Sequence, residues 1–251
     1  MQFSQTAPRL PERHQLRAFT LIELLVVIVI IAVLAGFGLK VAADARKKSN
    51  MVTSLNNLRQ WGKALTSSLA DSDGYLPTDG AVSGTVDIQS PDAWFNRLPR
   101  YINEMALSDP GITGNPPTPG KKSVWMNPAV RASEGKKFVN PPSSFLFCYA
   151  VNDYLSNESE RTLKLSRVEN HSATVFMGEN GNDQPVLNPN KIKAYFGPGN
   201  VDSDPRNEAN FLFCDGHVGT FKRSDFSKPT ATDDKQLDPN FTFIPFLGAT
   251  R

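Results

Sequence analysis

The sequence has little to offer a catalyst or a metal. It holds three histidines and two cysteines in 251 residues. Two cysteines are too few for a disulfide scaffold. No His-Glu-x-x-His, Gly-x-Ser-x-Gly, phosphate-cradling glycine loop or Cys-x-x-Cys is present. A large excess of either charge is missing too. The formal net charge is +2, and no Lys/Arg-rich run is interleaved with aromatics, which argues against a nucleic-acid partner. What remains is a chain with 39% hydrophobic residues, long enough for one or two domains with a sizeable core. Its nineteen prolines and seventeen glycines fall mostly after residue 70, which suits a loop-rich β domain better than a helix bundle.

One stretch is anything but sparse. "LRAFTLIELLVVIVIIAVLAGFGLK" (Leu16–Lys40) is almost wholly apolar. From Phe19 to Leu39 the only strongly polar side chain is Glu23, with Thr20 a mild one. As a helix at about 1.5 Å per residue this segment is roughly 31 Å long, the thickness of a hydrocarbon core. Arg9, Arg13 and Arg17 precede it against one acid, Glu12, which favours a cytoplasmic N-terminus. Lys40, Arg46, Lys47 and Lys48 on the far side oppose that bias, so charge leaves the orientation open. A cleaved signal peptide would have a shorter apolar region with a small-residue ending, such as "IAVLAG" (Ile31–Gly36). The length of the run and the acid within it count against that reading. A charge at the bilayer centre costs about 2.5–3.5 kcal/mol on insertion scales, so Glu23 needs a partner or a function.

"AFTLIELLVVIVIIAVLA" resembles the N-terminus of type IV pilins and type II secretion pseudopilins. The resemblance implies a basic leader removed by a prepilin peptidase between Ala18 and Phe19, with Phe19 then N-methylated. It makes Glu23 the family's acidic fifth residue. Ala18 stands where the family usually has glycine. Glu23 of one subunit is then expected to pair with the N-terminal amine of a neighbour, each offsetting the other's desolvation. "NNLRQWGKALTSSLADSDGYLP", "SFLFCYAVNDYL", "SRVENHSATVFMGE" and "NEANFLFCDGHVGTF" are similar, in that order, to blocks of a pseudopilin-like family with a processing-associated C-terminal domain. That family's tail signature is a histidine, nine residues, then Asp-Gly; here Asp215-Gly216 is present and Pro205 stands at the histidine position.

Beyond Leu39 the pattern becomes one-sided. Met51, Leu55, Leu58, Trp61/Gly62, Leu65 and Leu69 recur at spacings of three and four, with Asn56, Asn57, Arg59, Gln60 and Lys63 off the stripe. "DSDGYLP" supplies the stop, with Gly74 as a left-handed cap and Pro77 soon after. Phe19–Leu69 is predicted as one helix on the order of 75 Å long, with Gly36 and Gly38 as the places where it would break into two. Strands are predicted at Phe145–Val151, Ala173–Met177, Ile192–Phe196, Asn210–Cys214 and His217–Phe221. The last two flank Asp215-Gly216, a tight-hairpin signal. Asp109–Lys122 and Gly178–Asn190 are long turn-rich stretches. The expected fold is α+β: a long N-terminal helix packed on a small antiparallel β-sheet domain with long loops. The expected divisions are a leader at 1–18, a transmembrane helix at 19–39, its amphipathic continuation at 40–72 and a periplasmic domain at 73–251.

Asp215, His217, His171, Glu179 and Asp183 raise an acid/base or metal reading, yet Asp215 is explained by its turn, His217 by the return strand and Glu179 by a strand end, and no catalytic residue is assigned. Major pseudopilins hold calcium in a C-terminal loop, and "NVDSDPRNE" offers Asp202, Asp204 and Glu208. An ordinary solvated acidic loop is the simpler reading, so no metal and no cofactor are assigned. Cys148 and Cys214 sit in matching "FLFC" contexts and read as buried thiols, with a disulfide between adjacent strands as the alternative. The expected function is a pilin-like subunit of a type II secretion pseudopilus or type IV pilus-like filament. Its expected partners are the prepilin peptidase, other pilin or pseudopilin subunits and an inner-membrane assembly platform. The alternative is a single-pass anchored periplasmic binding module that does not polymerise.

Overall fold

A computed structural model describes residues 20–82, 85–114, 123–128, 147–156, 163–182, 185–187 and 208–222. The chain divides into two compact units, Met1–Ala45 and Arg46–Arg251. Helix α1 (Leu21–Asp71) starts in the first and ends in the second, unbroken through Gly36 and Gly38. In the first unit α1 is apolar from Leu21 to Leu39 apart from Glu23, and its large apolar side chains are exposed. It is the one helix among the described residues long and apolar enough to cross a membrane.

In the second unit α1 has a buried face. Leu58, Trp61 and Leu65 are buried and Met51, Leu55 and Leu69 half-buried, as the spacing predicts. The buried face also takes polar residues that the periodicity leaves out: Ser54, Asn57 and Ser68. Asn57, predicted off the stripe, is buried because its amide finds backbone acceptors, the carbonyls of Ser123 and Met126. Gly62 allows close approach. A Cβ there would stand 2.9 Å from Leu212 Cδ1 and 3.2 Å from the Gly216 carbonyl oxygen.

The helix ends one residue differently from expectation. Gly74 N–H reaches back to the Leu69 carbonyl at 2.9 Å, the six-to-one bond of a Schellman cap, and Asp73 (φ 55°) takes the left-handed position with Gly74 (φ 79°) after it. Asp73 is held there by Lys164 at 2.7 Å. Arg97 finishes the end, donating from Nη2 to the carbonyls of Ser68 (3.2 Å) and Tyr75 (2.9 Å), where a cation complements the helix dipole.

Next come a two-stranded ribbon, β1 (Ala81–Val82) and β2 (Thr85–Val86), and short helices α2 (Trp94–Arg97) and α3 (Pro110–Gly114). The main sheet has five strands: β3 (Phe147–Asn152), β4 (Val175–Asn182), β5 (Val186–Leu187), β6 (Glu208–Phe213) and β7 (Val218–Lys222), in the order β5-β3-β4-β6-β7. The sheet is mixed, not antiparallel as expected. After β4 the chain reverses onto the outer edge of β3, so β5 runs parallel to β3. It also turns part of the stretch read as loop into strand, as does β4, which continues to Asn182. Predicted strand Ile192–Phe196 lies outside the described residues.

The β6–β7 hairpin forms at Asp215-Gly216 by a different turn. Gly216 N–H bonds the Phe213 carbonyl (3.0 Å) and Phe213 N–H bonds the His217 carbonyl (2.9 Å), with only Gly216 at positive φ (90°). This is a three-residue loop with a glycine bulge, rather than a two-residue turn. Cys214 and Asp215 are fixed within it, their amides bonding the Thr174 and His171 carbonyls.

All three tryptophans of the chain share one cluster. Trp61 meets Trp94 and Trp125 edge-on at 5.6 and 5.2 Å, and Trp94 and Phe95 continue it to Phe147. On β4, Gly178 leaves room for Leu187 and Phe211, each of which would stand 2.6 Å from an added Cβ. Gly178→Ala is expected to destabilise by about 1–3 kcal/mol through overpacking, read by denaturant titration of the detergent-solubilised chain. Gly74→Ala, strained in φ but facing open space, is expected to cost about 1 kcal/mol.

Candidate functional site

The N-terminus of α1 is built by its own first turn. Thr20 donates from its backbone N–H (2.9 Å) and its hydroxyl (2.8 Å) to Glu23 Oε2, and Glu23 N–H donates to Thr20 Oγ1 (3.3 Å). This is a capping box, the Thr-x-x-Glu signature at a helix start. The acid that stands out in the sequence thus has a local structural role that spacing alone makes legible. Both of Thr20's bonds to the acid fall on Oε2. Ala18 and Phe19 lie outside the described residues. From Leu21 to Val41 every large apolar side chain is exposed, from 44% at Val27 to 84% at Leu21. A continuous apolar surface of this kind marks a membrane or protein contact.

The other candidates separate. Glu179 is not at a strand end. It lies within β4, 4% exposed. Ser54 of α1 donates to its Oε1, as does Asn210 Nδ2 of β6 at 2.9 Å, and Asn210 N–H donates to Oε2 at 3.1 Å. Tyr149 OH sits 3.0 Å from Ser54 Oγ and accepts from Asn57 Nδ2 at 3.2 Å. Burial first, then the neighbouring Glu179, pushes the Tyr149 phenol well above its ordinary range, so it stays neutral. Taking a carboxylate out of water costs several kcal/mol, and each charge-assisted bond offsets about 1.5–3 kcal/mol. The two roughly cancel, so the cluster is weak as a source of stability.

His217 Nδ1 lies 2.6 Å from Asp215 Oδ1 on the exposed hairpin, its ring stacked on Phe213 at 4.2 Å. His171 Nε2 faces the Leu165 carbonyl at 2.8 Å. Neither ring is brought to Glu179 by any bond described. Asp183, Asp202 and Asp204 lie outside the described residues, and Glu208 opens β6 opposite Lys222. Among the described residues no three His, Cys, Asp or Glu side chains form a metal-sized group.

Cys148 and Cys214 are free and buried. The adjacent-strand disulfide fails on topology: Cys148 is on β3 and Cys214 in the loop that follows β6, with β4 between the two strands. Strands two apart are about 9–10 Å from each other, beyond the ~7 Å Cα limit for a bridge.

With this geometry in view, the comparisons with known proteins concern the N-terminus. Residues 13–39 match the model of the prokaryotic N-terminal methylation motif. That match supports assigning the chain to the type IV pilin and pseudopilin family, as a pilin-like subunit. The motif implies prepilin peptidase processing and pilin-type assembly in general terms, and with the apolar α1 it points to a membrane-anchored protein. No curated protein and no solved structure gives a significant match.

Burial pushes the Cys148 thiol up to about 12 and raises Cys214 as well. The Cys148 thiol is therefore neutral at pH 8. Both thiols are expected to resist iodoacetamide at pH 8 in the folded chain and to react fully in denaturant, as read by intact mass.

Proposed function

We propose that the chain is the precursor of a pilin-like structural subunit. A prepilin peptidase cuts between Ala18 and Phe19, Phe19 is N-methylated, and the subunit waits in the inner membrane with its C-terminal domain in the periplasm. An inner-membrane platform then assembles it, through α1, with other copies or related pilins. A type II secretion pseudopilus is the first choice of filament and a type IV pilus-like fibre the second. The role is structural, not catalytic.

One observation carries this reading: a carboxylate stands at the start of a helix whose segment from Leu21 to Leu39 is otherwise apolar, with its large apolar side chains exposed. That exposure suits lipid before assembly and neighbouring helices after it. A simple anchor gains nothing from an acid there, since the cap needs only an oxygen acceptor. A cationic Phe19 amine from a neighbour gives the charge a use.

Glutamine preserves a capping box and removes the charge, whereas alanine removes both. Glu23→Gln and Glu23→Ala are therefore both expected to lower filament incorporation at least tenfold, by fractionation of sheared filaments. Incorporation of Glu23→Gln at the wild-type level would reduce Glu23 to a cap. The mature wild-type protein is expected to begin at methylated Phe19 by mass spectrometry; an intact N-terminus, or cleavage at Leu34–Gly36, contradicts the proposal.

A further inference from the structure

Part of the face of α1 that meets the domain is polar where a core face is ordinarily apolar. Asn50, Ser54, Asn57 and Trp61 follow one another at spacings of four, three and four, one stripe of the helix. Each bonds a group far away in the chain. Asn50 Nδ2 donates to the Pro128 carbonyl (3.3 Å), Asn57 Nδ2 to Met126 (2.9 Å) and Trp61 Nε1 to Val124 (3.2 Å). Ser54 donates to the buried Glu179. Asn210, already bonded to Glu179, also reaches the Met51 carbonyl at 3.4 Å, and its Oδ1 accepts from Thr220 at 2.6 Å. The stripe is thus tied to β3, β4, β6 and the 123–128 segment at several points along its length.

Apolar side chains pack acceptably in more than one arrangement, but directional bonds to a buried acid do so in only one. We propose that this polar stripe, centred on Glu179, is a lock that sets the axial and rotational position of α1 on the sheet. Its contribution is the choice of one setting over a one-turn slip, rather than stability. The proposal holds whether or not the chain is processed or assembled.

The test uses the full chain in detergent, with nitroxide labels at Lys63→Cys and Lys222→Cys. Both positions are exposed, and the buried Cys148 and Cys214 stay unlabelled. The wild-type background is expected to give one narrow label-to-label distance. Replacing the lock together (Ser54→Ala, Glu179→Leu, Asn210→Leu) is expected to leave the chain folded and to add a second population displaced by about 5 Å, one helical turn. Leu58→Ala, which removes a buried apolar side chain and no polar bond, is expected to keep the single distance. An unchanged single distance in the triple variant overturns the proposal. So does a triple variant that fails to fold while Leu58→Ala folds, since the cluster would then be holding the domain together rather than choosing its arrangement.

Discussion

The arrangement of the domain turns on a buried acid from the middle of a strand. Glu179 takes bonds from α1 on one side and from β6 on the other, and a carboxylate so enclosed allows few arrangements of its surroundings. Ser54 must face the sheet, so Asn57 and Trp61 face it as well. Gly62 then lies against Leu212 and the hairpin carbonyl, where only a glycine fits without displacement. The tryptophan cluster supplies the apolar burial that the polar contacts do not.

Two glutamates mark the two parts of α1 and differ in their partners. Glu23 is exposed, bonded among the described residues within its own turn, and surrounded by apolar side chains that nothing in the described chain covers. Glu179 is buried, and its partners come from elements far apart in sequence. The first acid belongs to a surface left uncovered among the described residues, and the second to a surface already covered. That contrast fits a subunit whose assembly contacts lie at one end of the helix and whose fold is secured at the other.

Much of this was legible because it is local. The helix, its apolar stripe, its end near Gly74 and the hairpin at Asp215-Gly216 all follow from short-range spacing. The Thr20–Glu23 box is equally local, yet Glu23 draws attention as a charge in an apolar run and Thr20 passes as a minor polar residue. What was not legible depends on distance along the chain. Asn57 looks like solvent-facing polarity until Met126 and Tyr149 come to meet it. Glu179 looks like a strand end because its donors lie 125 and 31 residues away. Strand β5 has two residues, too few for any pattern, and β4 passes through glycines that read as loop.

What covers the exposed apolar part of α1 decides between an anchor and an assembly element. A photo-activated cross-linking amino acid at Val29, a position 54% exposed, reports its neighbours directly in cells that carry the assembly machinery. Covalent adducts with a second copy, or with another pilin-like subunit, are expected, and they are expected to disappear when the machinery is deleted. Adducts with lipid alone, in cells with the machinery intact, would contradict the account and leave α1 as an anchor.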